Sequence, residues 1–122
     1  MLAYLPPSCM RMTRPISWLK GALRDYQAFP AAVQEVAEDA LTQIAEGGTP
    51  DIAKPLTGLG SGVWELAIKA RGDAYRVVYA LQLADAIWVV HAFQKKSKSG
   101  IATPKHEIDL VRERLKRLKE RL

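Results

Sequence analysis

The stretch Val63–Leu81, VWELAIKARGDAYRVVYAL, decides the fold. Trp64, Leu66 and Ile68 alternate with Glu65, Ala67 and Lys69, and Tyr75, Val77, Tyr79 and Leu81 alternate with Arg76, Val78 and Ala80. A period of two marks a strand with one buried face. Gly72-Asp73 between the runs predicts a two-residue hairpin turn with Gly at its first position. That register sets Lys69 opposite Arg76 and lays Trp64, Leu66 and Ile68 beside Leu81, Tyr79 and Val77. A slip of one residue would push Arg76 onto the apolar face, which desolvation opposes. Glu65 falls on the face of Lys69 and Arg76.

Downstream, Ala86–Phe93 is apolar throughout except for His91. Such a run predicts a third strand, inside the sheet and covered on both faces. Upstream, residues 49–62 are rich in Thr, Pro and Gly and read as a loop. Before the loop, Leu19, Ala22, Leu23, Tyr26 and Phe29 have helical spacing, and Pro30 separates them from a second helix. Val33, Val36, Ala37, Ala40, Leu41 and Ile44 line the apolar face of that helix, which ends at Gly47-Gly48. Ile16–Leu19 is a short strand or a lead-in to the first helix. After the strands, Thr103 is placed as N-cap and Pro104 as first helical residue. Ile108, Val111, Leu115, Leu118 and Leu122 then form a narrow stripe, of a helix that lies across the domain or shares this face with a partner chain. Residues 1–14 read as an extension and residues 15–122 as one domain. The expected class is α+β, with two N-terminal helices packed on a small, mainly antiparallel sheet and a C-terminal helix.

Composition excludes several functions. The longest apolar run is too short to cross a bilayer, so no membrane role is expected, and the single Cys9 fits a cytoplasmic home. Histidines 91 and 106, without clustered Cys or Asp, make no metal site, and no Gly-rich phosphate loop or Ser-His-Asp pattern is present. No cofactor is expected. The net charge of +5 is unevenly placed: residues 1–85 hold eight Lys/Arg against nine Asp/Glu, residues 86–122 ten against four. A basic third of this kind suits a polyanion or an acidic partner.

The chemistry-bearing side chains are therefore cationic: Lys69, Arg71 and Arg76 from the hairpin, then Lys95, Lys96 and Lys98 after the third strand. Such a set suits RNA cleavage by the substrate's own 2′-hydroxyl, which needs neither metal nor external nucleophile. The protein must hold the phosphate in line and neutralise charge on its oxygens. Arg76 is fit to clamp a phosphate but not to act as a base. A lysine crowded by like charges can act as one. The general base stays open between Lys95, Lys96 and His91, and His91 is also a candidate proton donor to the leaving 5′-oxygen.

The element order and five segments resemble the RelE/ParE superfamily of bacterial toxins, and within it the phage-derived, HigB-like subfamily. The segments are Ala28-Phe29-Pro30, Ala53–Leu56 with Leu59-Gly60, Gly62–Leu66, Asp73–Tyr79, and His91–Lys98 running into Thr103-Pro104. The resemblance implies a toxin of a type II toxin–antitoxin system that cleaves mRNA in the ribosomal decoding site. It also implies a cognate antitoxin, often of helix-turn-helix type, and operator DNA bound through the complex. By the same resemblance the phosphate site is Arg76 with Lys95-Lys96, to which the strand register adds Lys69 and Arg71, with Lys98 as a further contact. The alternatives are a ParE-like gyrase inhibitor without nuclease activity and a non-catalytic nucleic-acid-binding regulator.

Overall fold

The computed structural model describes residues 14–95 and 103–122. Its elements are β1 (Ile16–Trp18), α1 (Lys20–Gln27), α2 (Ala31–Ala45), β2 (Ala53–Pro55), β3 (Val63–Ala70), β4 (Asp73–Leu83), β5 (Ala86–Lys95) and α3 (Lys105–Arg121). They form one five-stranded sheet in the order β1-β5-β4-β3-β2. The α+β class holds, and the sheet adds two short strands to the three long ones expected, one of them read in advance as a strand or a helix lead-in. Ile16–Trp18 resolves as a strand parallel to β5. β2 lies inside the presumed loop, antiparallel to β3. Pro55 masked it, because proline is tolerated in a strand only at an edge such as this one.

The β3–β4 hairpin corrects the expected register. Ala70 pairs with Asp73, so Lys69 faces Ala74 and Arg76 faces Ala67. The turn is Arg71-Gly72, with φ of 52° and 83°. Two left-handed residues in succession give the turn whose twist matches the flanking strands. The displacement from the expected pairing is two residues, and an even displacement leaves every side chain on its expected face.

Each face of the sheet has its own core. On one, Ala22 and Tyr26 of α1 and Val33, Ala37, Leu41 and Ile44 of α2 cover Leu66, Ile68, Val77, Tyr79, Ile87 and Val89. On the other, Val111, Leu115 and Leu118 of α3 cover Val63, Val78, Ala80, Val90 and Phe93. Burying each of the larger side chains contributes about 1.5–3 kcal/mol. The α3 stripe is therefore spent within the domain, although Leu122 at its end is exposed. Val36 is likewise 44% exposed, off the packed face of α2. α3 also starts one residue later than expected: Pro104 is the N-cap residue and no side chain caps the helix.

Candidate active site

A single irregularity in β5 assembles the site. Val78 pairs with His91 but Tyr79 pairs with Val89, so Val90 is an extra residue, a β-bulge. Ile87 and Val89 face α1 and α2. Strict alternation would send His91, Phe93 and Lys95 the same way. The bulge reverses the phase, and Phe93 joins the α3 core while Ala92 turns to the other. Three cross-strand rows result on the α3 side: Lys54–Glu65–Val78–His91, Ala67–Arg76–Phe93, and Lys69–Ala74–Lys95. Adjacent strands lie about 4.8 Å apart, so these rows gather Lys54, Arg76 and Lys95 around Glu65, with Lys69 further along β3 on the same face.

Arg76 and Glu65 form the centre of that cluster. Arg76 Nη1 donates to Glu65 Oε1 at 2.6 Å, with both side chains 6% exposed. The Thr103 hydroxyl, in the residue before Pro104, reaches Glu65 Oε1 at 2.9 Å and Oε2 at 3.1 Å. Thr103 was expected to cap α3; its hydroxyl instead donates to the carboxylate. Lys95 is buried beside this pair. Burial pushes its ammonium below the ordinary lysine range, the Arg76 charge and then Lys54 push the same way, and Glu65 opposes them.

His91 lies on the same face but is turned toward α3. Its Nε2 is 2.6 Å from Glu107 Oε1 and its Nδ1 is 3.1 Å from Arg114 Nη1. A guanidinium only donates, so Nδ1 accepts and Nε2 carries the proton toward Glu107. Arg114 also donates to the carbonyl of Val90, the bulged residue, at 2.9 Å. The ring stacks on Phe93 with centroids 5.1 Å apart. Burial lowers the His91 pKa; Arg114 adds to that, while Glu107, and Asp25 more weakly, pull it up. A histidine held neutral in the fold must take up a proton on unfolding below its ordinary pKa of about 6.5. The unfolded state then binds more protons, so stability falls as pH drops from 7.5 to 5.5. Denaturant midpoints should show this fall, and His91→Asn should reduce it.

A cavity of about 600 Å³ opens beside the cluster, lined in part by Phe29, Tyr75 and Gln94. Asp25 and Glu107 also line it, and two carboxylates repel a phosphate. A phosphate is therefore disfavoured in this cavity.

Among the expected site residues, Arg76 and Lys95 are neighbours and Lys69 is exposed one row away on the same face. Arg71 sits in the hairpin turn, exposed. His91 is on the face, with both ring nitrogens engaged. Lys96 and Lys98, like residues 1–13 of the expected extension, lie outside the described residues; its last residue, Arg14, is bonded to the carbonyls of Ala45 and Ala86. Sequence reasoning placed Glu65 near the cations but gave it no partner, and it missed Lys54, Thr103 and the Glu107–Arg114 pair. Helical spacing of Glu107 and Arg114, seven residues apart, was the available signal for that pair.

A sheet of this order, with two helices on one face and a C-terminal helix on the other, is the fold of the RelE toxins. The chain belongs to the family described as Phage derived protein Gp49-like (DUF891), whose profile matches residues 24–116. Among solved structures it is similar to a double arginine-to-alanine mutant of the Escherichia coli toxin RelE in the free state. That match has 19% identity and a TM-score of 0.57, over 87% of this chain and 98% of that one. It is also similar to a chain of the intact E. coli RelBE toxin–antitoxin complex, with 16% identity and a TM-score of 0.58 over 70% of this chain and 100% of that one. The isolated E. coli RelE toxin matches with 20% identity and a TM-score of 0.52, over 87% and 99% of the two chains. At these identities the likeness is one of fold. No curated protein matches the chain by sequence.

Proposed function

We propose that this chain is the toxin of a type II toxin–antitoxin pair, of the HigB-like kind, and that it cleaves mRNA at the ribosome in the cytoplasm. The observation that carries the reading is the convergence of Arg76 and Lys95, from separate strands, on one face of the sheet. In the proposed reaction the 2′-oxygen bonds to phosphorus as the bond to the 5′-oxygen breaks. Arg76 neutralises charge gathering on the phosphoryl oxygens, Lys95 in its neutral form takes the 2′-hydroxyl proton, and water protonates the leaving 5′-oxygen. Lys69 and Arg71, with Lys96 and Lys98, guide the RNA backbone. His91 is assigned to fastening α3 and not to proton transfer, because both ring nitrogens are in use. The RelBE complex supports a cognate antitoxin as partner; a helix-turn-helix antitoxin that carries the pair to operator DNA completes the reading.

Induction followed by primer extension on a reporter mRNA tests it. Discrete breaks inside translated codons are expected. Intact mRNA with a DNA-damage response would instead indicate a gyrase inhibitor and overturn the nuclease reading.

A further inference from the structure

Within the proposed nuclease site, on whose reading this step rests, we infer that Glu65 is a positioning residue for the phosphate clamp, acting through Arg76 and held in turn by Thr103. A carboxylate is costly to bury unless it is paired and hydrogen-bonded, and here it stands among the cations that would receive an anionic substrate. Its contacts explain its presence. Oε1 is shared by Arg76 Nη1 and the Thr103 hydroxyl, and Oε2 receives Thr103 as well. Both oxygens are thus engaged within the protein.

What the arrangement supplies is a fixed guanidinium. Arginine has many rotamers to lose, and a clamp that must find its orientation during the reaction loses much of its value. Glu65 sets the Arg76 orientation before RNA arrives. Its charge also offsets the mutual repulsion of Lys54, Arg76 and Lys95. Thr103 shows how firmly the carboxylate is held. Thr103 precedes the N-cap residue Pro104, and its hydroxyl is directed to Glu65. The same contact ties the start of α3 to β3, so the clamp and the helix share one anchor.

The test uses the full chain and a ribosome programmed with mRNA, with maximal rate and half-saturating concentration measured separately. Glu65→Gln keeps the shape and the hydrogen-bonding oxygen but not the charge. It should lower the maximal rate by about 100-fold, the cost of a misplaced group of this kind, with half-saturation within about threefold by the same reasoning. The rate should still rise with pH. Thr103→Val should lose about 10-fold, being one hydrogen bond further removed, and Thr103→Ser should restore the wild-type rate. Thermal melting reports folding, and if Glu65→Gln does not fold, the Thr103 pair decides.

A wild-type rate in Glu65→Gln overturns the inference. So does tighter RNA binding at unchanged rate, which would make Glu65 an occupant of the phosphate seat. Loss of the rising pH limb would make it a catalytic group instead. If the wild-type protein cleaves no RNA, the nuclease reading falls and this inference with it. If the wild type cleaves and Glu65→Gln cleaves equally, only the inference falls.

Discussion

Arg76→Lys is expected to abolish growth arrest and to lower RNA cleavage by about two to three orders of magnitude, the cost of removing a preorganised donor from an anionic transition state. Lysine keeps the positive charge but loses the planar fork that meets two phosphate oxygens at once. It also loses the geometry of the 2.6 Å contact with Glu65. Charge alone therefore does not rescue the variant. Single-turnover cleavage on programmed ribosomes is the measurement, and a variant within about threefold of wild type would reduce Arg76 to a generic cation.

Arg76→Ala is a poorer test, for a reason that the burial of the pair supplies. Removing one partner of a buried ion pair strands the other charge and costs about 3–5 kcal/mol. Lost toxicity could then mean lost fold. Replacing both partners by apolar residues of similar volume is often neutral or stabilising, so the double variant Arg76→Met, Glu65→Leu separates the two effects. It should melt close to the wild type and cleave nothing. If it melts normally and still arrests growth, the ion pair is scaffold and the nuclease lies elsewhere.

The alternation of Trp64, Leu66 and Ile68 with Glu65, Ala67 and Lys69 made the faces of the sheet legible, and with them the placement of Arg76. Register was less legible. Both turn choices around Gly72 keep the same parity and both suit the twist of a hairpin, so the sequence did not separate them. The phase of Lys95 was not legible at all. It depends on the bulge at Val90, inside a run where Val89, Val90 and Ala92 are equally apolar and no glycine marks the insertion. Lys54 was hidden by Pro55, whose presence argues against a strand until the strand is known to be an edge. Thr103 misled in a physically reasonable way: a Thr before a Pro and a polar turn is a capping signal, but Pro104 takes the N-cap position and the Thr103 hydroxyl donates to Glu65, which only tertiary structure brings near. The expectation that Arg76 and Lys95 share a site came from the resemblance, and the structure puts Lys95 at the end of β5, two residues beyond the expected strand.

That lysine has a distinctive kinetic signature. For Lys95 to accept the 2′-hydroxyl proton it must be neutral, so the cleavage rate should climb about tenfold per pH unit below its pKa and level off above it. Its pKa is lowered by burial, by Arg76 and by Lys54, which brings the plateau to a pH below the ordinary lysine value of 10.5. Lys95→Arg keeps a cation that cannot be deprotonated. It should lose about 10²–10⁴-fold, the usual contribution of a positioned base, and its rate should no longer climb with pH. Neighbouring charges supply the sign check. Lys54→Met removes a cation that disfavours the ammonium form, so the inflection should move up. Glu65→Gln removes the anion that favours it, so the inflection should move down. Shifts in opposite directions would identify Lys95 as the titrating group, because both neighbours act on it through charge. A rate that falls as pH rises would mean that Lys95 works as a proton donor, and a fully active Lys95→Arg would mean that it supplies charge alone.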